Sequence, residues 1–138
     1  MIYYVYLDRG KMKKQNISIA IVQNEQQQLL ISRRQKGQHL AGKWEFPGGK
    51  VAEGEAYELA MLRELKEEVG LTATKYKLFD SLQFDYDQLK LNLHFYLVSE
   101  YSGEAQSLEG QEVKWISPEQ LKDYDFPEAN VGVINKLL

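Results

Sequence analysis

The alternation of apolar and polar residues predicts several strands arranged around one prominent helix. Asn16–Val22 and Leu29–Arg33 are rich in β-branched and aliphatic residues, and the segment between them is polar, so we expect the two to pair as a hairpin. Aromatic and aliphatic runs predict three further strands, over Tyr76–Tyr86, Leu91–Ser99 and Val113–Ile116, with a turn at residues 85–88 between the first two.

Helix signals follow the same chain order. The clearest helix is predicted over Glu55–Val69, ended by Gly70 in the left-handed conformation usual after a helix. Ser117 followed by Pro118 predicts a second helix start, and a last helix is expected over about 128–138. Lys36–Lys50 holds too many glycines and prolines for an element and is expected to be a long loop. The order β, β, α, several β, α, α predicts an α/β or α+β layer fold with a mixed sheet.

The helix over Glu55–Val69 carries an unusual number of acids on one side. Projection at about 100° per residue places the leucines and Val69 on a packing face and Ala60, Glu64, Glu67 and Glu68 on another. Glu64 and Glu68 repel one another at i, i+4, and the helix dipole disfavours anions in the last turn. A solvated acidic face is the common explanation of such a run. The repulsion instead favours a divalent metal site, since hard cations prefer oxygen ligands.

Composition locates this acidity. The 138 residues include 20 acidic and 17 basic side chains, for a net charge of −3, and no cysteine. Seven acids and three bases lie between Glu45 and Glu68, so the rest of the chain is close to neutral. These numbers exclude disulfides and thiolate zinc sites and argue against binding a nucleic-acid polymer through a basic surface.

Length and hydropathy predict one domain over residues 1–138. No apolar run approaches the roughly 18 residues that span a bilayer, and the N-terminus lacks signal-peptide features, so we expect a cytoplasmic monomer without membrane association. Because Met12 offers a second translation start just before the first strand, residues 1–11 are interpreted as an N-terminal extension.

One motif surrounds the acidic helix. The pattern G-x5-E-x7-R-E-U-x-E-E-x-G-U, in which U is aliphatic, is filled by Gly49, Glu55, Arg63, Glu64, Leu65, Glu67, Glu68, Gly70 and Leu71. With this complete motif the chain resembles the Nudix hydrolases. Three further segments resemble the MutT-type members of that family: Lys43–Lys50, Glu109–Gln111 and Asp125–Asn130.

The resemblance implies an α/β/α sandwich with a mixed sheet and hydrolysis of nucleoside diphosphates linked to another group. It implies that Mg²⁺, or Mn²⁺ as a substitute, is held by the Gly48 carbonyl and by Glu64, Glu67, Glu68 and Glu109. Glu109 is the leading general base, with Glu64 as the alternative. Arg63 would be a structural cation, and Glu55 would position the loop or Arg63. The pair Gly48-Gly49 would allow a tight turn that brings a carbonyl to the metal.

For substrate, the resemblance implies hydrolysis of 8-oxo-dGTP to 8-oxo-dGMP and pyrophosphate, which cleanses the nucleotide pool and avoids mutation. The Asn130 amide offers a donor and an acceptor that match the Hoogsteen edge of 8-oxoguanine, although a helix-capping role is the alternative. Phe46 is expected to line the base pocket, and Arg34, Arg33 and Lys50 to contact the nucleotide. A solvent-facing pair is the alternative for the two arginines.

Two other functions remain open. Family members that hydrolyse CTP or 5-methyl-dCTP have similar loops, and a non-catalytic module could bind nucleotide as a sensor. The complete set of carboxylates argues against the sensor, because an idle module has no need of their repulsion. His39 and His94 are given no role, and Phe84, Tyr86 and Phe95 are assigned to the core or its rim.

Overall fold

A computed structural model of the chain describes residues 13–37, 40–86 and 88–138. The proposed extension over residues 1–11 and the unassigned His39 lie outside these ranges. The described helices and strands are β1 (Lys13–Val22), β2 (Leu29–Arg33), β3 (Trp44–Glu45), β4 (Gly48–Lys50), α1 (Tyr57–Val69), β5 (Thr72–Tyr86), β6 (Leu89–Ser102), β7 (Val113–Ile116) and α2 (Val131–Leu137). Two 3-10 helices, Pro118–Asp123 and Glu128–Asn130, lie between β7 and α2.

The strands form two sheets. One has the order β4-β1-β6-β5, in which β1 runs parallel to β6 and the other pairs are antiparallel, and the other is antiparallel with the order β3-β2-β7. Alternate residues of β1 face opposite sides of the larger sheet. Ile17, Ile19 and Ile21 pack in one apolar cluster with α2, and Ala20 and Val22 pack in another with α1. This confirms the predicted α+β fold with a mixed sheet.

The predicted hairpin between the first two strands is wrong. An isolated bridge joins Gln23 to Leu29, after which β1 and β2 enter different sheets. The polar turn does form, and Asn24 Oδ1 accepts the N–H of Gln28 at 2.8 Å. Beyond that bridge, β1 pairs with β6 along its whole length and with β4 over Ile17–Ile19, whereas β2 pairs with β3 and β7.

The predicted long loop over Lys36–Lys50 contains the short strands β3 and β4. Gly48 and Gly49 lie in β4, opposite Ile19 and Ser18 of β1, and neither glycine has a positive φ. The expected tight turn is therefore wrong, and the glycines serve close packing. A Cβ on Gly48 would lie 2.3 Å from the carbonyl oxygen of Ser18.

Helix α1 begins two residues later than predicted and ends as predicted. Gly70 follows it with φ 77°, and its N–H donates to Lys66 O. The buried face of the helix differs from the projection. Ala60 and Glu68 are buried together with Leu65, whereas Leu59 is 58% exposed. Part of the acidic strip thus faces the protein, because the glycines of β4 leave room for it.

The C-terminal helices are shorter than predicted. Ser117 forms a capping box with Gln120, but the helix that follows is 3-10 over Pro118–Asp123. The last predicted helix is divided into a 3-10 turn and α2. The two long strands β5 and β6 extend beyond their predicted bounds at both ends except at Tyr86. In the described ranges, no helix is both long and apolar enough to span a membrane.

We expect Gly48→Ala to lower the free energy of unfolding by about 1–3 kcal/mol, because the added methyl group meets the backbone of β1. Gly132→Ala in α2 is the control, since nothing lies within 4 Å of the Cβ it would add. That control is expected to be neutral or to stabilise by roughly 0.5–1 kcal/mol. Urea denaturation of both variants measures the difference, and equal stabilities would contradict the packing argument.

Candidate active site

Arg63 is the centre of a network that joins α1, β4 and the loop between them. Its Nε and one terminal nitrogen donate to the two carboxylate oxygens of Glu55 at 2.8 and 2.9 Å. The other terminal nitrogen donates to Glu64 at 2.9 Å and to Glu67 at 3.3 Å. The nitrogen that reaches Glu55 also donates to the carbonyl oxygen of Lys50 at 3.0 Å. Arg63 therefore fixes one loop and holds three carboxylates that would otherwise repel.

The pKa values of two carboxylates in this network, Glu55 and Glu64, shift in opposite directions. Hydrogen bonds from Arg63 and from the Ala52 N–H lower the pKa of Glu55 to about 2. Burial instead raises the pKa of Glu64, although Arg63 opposes that rise. Glu55 thus stays an anion bound to Arg63, just before α1. For Glu64, by contrast, the loss of solvation on burial is the largest influence on the pKa.

Glu68 lies one turn further along α1 and is 5% exposed. Its carboxylate accepts the backbone N–H of Gly48 at 2.8 Å. Burial raises its pKa to about 7, and the negative charge of Glu45 acts in the same direction. A buried carboxylate with a raised pKa and a defined position is typical of functional sites.

The carboxylate of Glu64 lies against the backbone of β4. A Cβ on Gly49 would lie 2.4 Å from Glu64 Cδ, so an alanine at that position would occupy the space of the carboxyl group. Glu64 and Glu68 therefore flank the backbone of Gly48 and Gly49 from one helix face. Glu67 points away from this backbone, and its side chain is 53% exposed.

Glu109 lies in an exposed loop that is attached to the end of α1. Gln111 and the Leu108 N–H both donate to the carbonyl oxygen of Glu68, at 3.1 and 3.2 Å. Gln35 donates to the carbonyl oxygen of Glu109 at 3.0 Å. The structure thus brings the Glu109 backbone near the helix end that carries Glu68, and leaves its side chain in solvent.

These residues fit a hard divalent cation by chemistry. The donors would be carboxylate and carbonyl oxygens, which Mg²⁺ and Mn²⁺ prefer. Within the described ranges, no group of three His, Cys, Asp or Glu side chains converges closely enough to hold an ion. Glu64 and Glu68 are already placed beside Gly48, and a further carboxylate would have to come from an exposed side chain such as Glu67 or Glu109.

The two arginines at the end of β2 have different surroundings. Arg34 is 2% exposed and forms an ion pair with the buried Glu45 at 2.8 Å, so it is not a solvent-facing residue. Arg33 is exposed, and its Nε donates to the carbonyl oxygen of Gly42 at 3.3 Å. Its guanidinium lies 5.8 Å from the centroid of the Trp44 ring. The structure therefore separates the roles predicted for the pair.

Both residues assigned to the base pocket, Phe46 and Asn130, are fully buried. Phe46 is fully buried and packs on Phe126 with 5.2 Å between ring centroids. Asn130 is also fully buried, and its amide nitrogen donates to the carbonyl oxygen of Pro127 at 3.4 Å. Its Oδ1 is buried without a hydrogen-bond partner. Because Asn130 side-chain atoms do not cap a helix, the capping alternative is not supported.

Other predicted residues occupy the edge of the site. Burial and, to a lesser extent, the charge of Lys13 lower the pKa of Lys50. His94, which has no predicted role, stacks on Tyr57 at the start of α1 with 3.6 Å between ring centroids. Phe95 is fully buried and Phe84 packs at the rim of the core.

Sequence reasoning missed two residues that position the site. Glu45 is the buried partner of Arg34, and its place in the Lys43–Lys50 segment was the available signal. The Tyr86 hydroxyl accepts the N–H of Ala129 at 3.3 Å, beside Asn130. No local sequence signal could identify this contact, because 43 residues separate its partners.

Comparison with known proteins gives consistent matches. A family model for the NUDIX domain matches residues 18–136. An 8-oxo-dGTP diphosphatase of Escherichia coli is 44% identical over 126 residues, which are 91% of this chain and 98% of that protein. A CTP pyrophosphohydrolase of Escherichia coli is 32% identical over 127 residues, 92% of this chain and 93% of that one. A solved structure from work on MutT of Aliivibrio salmonicida and Vibrio cholerae has a TM-score of 0.79 and 40% identity, over 91% and 97% of the two chains.

The Glu55–Arg63 ion pair predicts a pH-dependent stability. Because the pKa of Glu55 falls from 4.5 to about 2 on folding, its contribution is full above pH 4.5 and is lost as the pH falls toward 2. The difference in unfolding free energy between the wild type and Glu55→Gln should therefore be largest near neutral pH and shrink through that window.

Urea denaturation at several pH values between about 2.5 and 7 measures this difference. The range covers the window below the ordinary pKa of 4.5, in which the folded-state pKa of about 2 matters. Glu53→Gln, which changes an exposed carboxylate two residues earlier, is the control and should show a small difference at every pH. A Glu55→Gln difference independent of pH would disprove the role of the ion pair.

Proposed function

Because this chain belongs to the NUDIX domain family, we propose that it is a nucleoside triphosphate diphosphatase that hydrolyses 8-oxo-dGTP to 8-oxo-dGMP and pyrophosphate. Such an activity would remove an oxidised precursor from the nucleotide pool before DNA synthesis. Its choice of base is supported by one observation, the buried and unpaired Oδ1 of Asn130. The cytoplasmic location and the monomeric state stay predictions.

The chemistry of the base explains why Asn130 would select it. Guanine presents two acceptors, N7 and O6, on its Hoogsteen edge. In 8-oxoguanine N7 carries a hydrogen, so that edge offers a donor beside an acceptor. The Asn130 amide would accept from N7–H through Oδ1 and donate to O6 through Nδ2. Both atoms of the amide would then be satisfied in a buried site.

Unmodified dGTP would leave the Asn130 oxygen facing the acceptor N7. A site that is built to pair with a hydrogen-bonding group can reject an analogue lacking it by about 10⁴ or more, because its buried polar atom stays unpaired. Since Asn130 is fully buried, a base reaches it only if nearby residues of the protein move. Phe46 and Phe126, which pack together in the same cluster, are the apolar surfaces available to that base.

The acidic helix supplies the reaction centre. When bound, a divalent cation neutralises triphosphate charge and lowers the pKa of the attacking water. Glu64, Glu67 and Glu68, with the Gly48 carbonyl, are the proposed ligands, and Glu109 is proposed to complete the set. Glu109 is also the proposed general base, with Glu64 as the alternative. Arg63 keeps the carboxylates in place, and Arg34 would contact the nucleotide from its position beside Glu45.

Asn130→Ala tests the choice of base. We expect the ratio of kcat/KM for 8-oxo-dGTP to that for dGTP to fall by about tenfold or more, because the paired contact is lost. Asn135→Ala changes an exposed asparagine of α2, the helix that follows Asn130, and should keep the wild-type ratio. Steady-state hydrolysis with Mg²⁺ gives the ratios, and an unchanged ratio in Asn130→Ala would remove Asn130 from base recognition.

The same assay with CTP and 5-methyl-dCTP separates the alternatives for the wild type. Preference for 8-oxo-dGTP supports the proposal. Preference for a pyrimidine triphosphate would favour the activity named for the CTP-hydrolysing relative, and binding without turnover would favour a sensor.

Glu68→Gln tests the metal ligands. The glutamine keeps an oxygen that can accept the Gly48 N–H but loses the negative charge, so we expect kcat to fall by more than about a hundredfold with little loss of fold. Glu104→Gln is an exposed control beyond β6 and should retain activity. Activity within a few fold of the wild type at saturating Mg²⁺ would refute the ligand assignment for Glu68, and circular dichroism checks the fold.

A further inference from the structure

The loop between β6 and β7 is attached to the end of α1 by carbonyl groups of the helix. The last carbonyls of an α-helix have no partner within the helix. Here the Glu68 carbonyl oxygen accepts the Leu108 N–H at 3.2 Å and a side-chain N–H of Gln111 at 3.1 Å. The Val69 carbonyl oxygen accepts the Gln106 N–H at 3.0 Å. These contacts give an exposed loop a defined place on the helix.

Gln111 uses both ends of its carboxamide in this attachment. Its Nε2 donates to the Glu68 carbonyl oxygen, and its Oε1 accepts the Glu109 N–H at 3.0 Å. A carboxamide measures about 2.3 Å from oxygen to nitrogen, so the Glu109 nitrogen lies within about 9 Å of the Glu68 carbonyl oxygen. The carboxamide can have only this orientation, because its nitrogen donates and its oxygen accepts.

The carbonyl group of Glu109 is held by a second glutamine. Gln35, which lies two residues after β2, donates from Nε2 to the Glu109 carbonyl oxygen at 3.0 Å. Gly110 follows with φ 79°, a left-handed conformation that glycine adopts without strain, and a Cβ there would lie 3.1 Å from Gln35 Nε2. The N–H and the carbonyl group of Glu109 are therefore both bound by side chains from elsewhere, while its carboxylate is exposed.

Glu68 joins this loop to the acidic site. Its carboxylate accepts the Gly48 N–H at 2.8 Å, and its main-chain carbonyl accepts the Gln111 side chain. Water would satisfy the polar groups of an exposed loop equally well, so solvation of the loop does not require the Gln111 bridge. A fixed main chain is needed where a side chain must be delivered to a defined point.

We propose that Gln111 is a positioning residue, which ties the Glu109 main chain to Glu68 so that the Glu109 carboxylate reaches a cation held by Glu64 and Glu68. The inference rests on the proposed function, since it takes Glu109 as a ligand of that cation. In this role Gln111 acts through Glu109 alone. Its loss therefore matters only while residue 109 carries a carboxylate.

Gln111→Met tests this role, because methionine has a similar length but lacks the N–H donor and the carbonyl oxygen. Gln106→Met is the matched control, since Gln106 is an exposed glutamine of the same loop that contacts α1 through its main chain. Calorimetric titration without nucleotide measures the Mn²⁺ affinity, and NMR measures hydrogen exchange of the Glu109 amide. In Gln111→Met we expect about tenfold weaker Mn²⁺ binding, as for other residues that orient metal ligands, and faster exchange. Gln106→Met should match the wild type.

The double variant Gln111→Met/Glu109→Gln distinguishes positioning from a purely structural role. In the Glu109→Gln background, Gln111→Met should leave the Mn²⁺ affinity unchanged, because the carboxylate that it positions is already lost. A fall of the same size with and without the Glu109 carboxylate overturns the proposal. Equal Mn²⁺ affinities of Gln111→Met and the wild type overturn it as well.

Steady-state hydrolysis keeps this proposal apart from the proposed function. At saturating Mg²⁺ we expect kcat for 8-oxo-dGTP to fall about tenfold in Gln111→Met with KM nearly unchanged, because Glu109 is also the proposed general base. A rise in KM with an unchanged kcat contradicts positioning. If the wild type hydrolyses none of the triphosphates, the proposed function fails, and the Mn²⁺ titrations of the single and double variants still decide about Gln111.

Discussion

The guanidinium of Arg63 is the interaction on which the acidic site depends. Three carboxylates meet it, and it also binds the main chain of β4 through Lys50. Without a cation at this point Glu55, Glu64 and Glu67 would repel one another across a short stretch of helix and loop. Because the same group touches a strand, a loop and a helix, it couples the local geometry of the carboxylates to the fold.

The packing of α1 on β4 determines which acids become buried. Ordinary side chains in β4 would hold the helix away, whereas Gly48 and Gly49 let Glu64 and Glu68 reach the strand backbone. Burial raises the pKa values of both carboxylates, which is unfavourable for the folded protein at neutral pH in isolation. A bound cation would remove that penalty. The structure thus concentrates unfavourable charge at the place where the proposed chemistry needs it.

Much of this molecule could be predicted from its sequence because its signals are local. The α1 helix, the left-handed Gly70, the strands and the Arg63-centred motif depend on periodicity and on short spacings. The predicted pairing of β1 with β2 was wrong because strand neighbours are chosen by competition among distant segments, and β1 pairs instead with β6 and with the short strand β4. The predicted buried face of α1 was wrong because hydrophobicity alone places Leu59 inside, whereas the space beside the two glycines of β4 admits Glu68. The Tyr86 contact to Ala129 depends on how β5 is placed against the C-terminal segment, which no local pattern encodes.

The contact between Gly49 and Glu64 also limits how the chain can change over generations. Every missense replacement of a glycine adds at least one carbon, and at position 49 that carbon would lie 2.4 Å from the carboxyl carbon of Glu64. Any exchange there pushes the end of the Glu64 side chain out of its place beside β4, and a smaller residue at position 64 would relieve the clash only by removing the carboxylate. A change at either position, whichever comes first, therefore gives an impaired protein. For a chain whose proposed task is to lower the mutation rate, an impaired intermediate would itself raise the rate at which further changes arise.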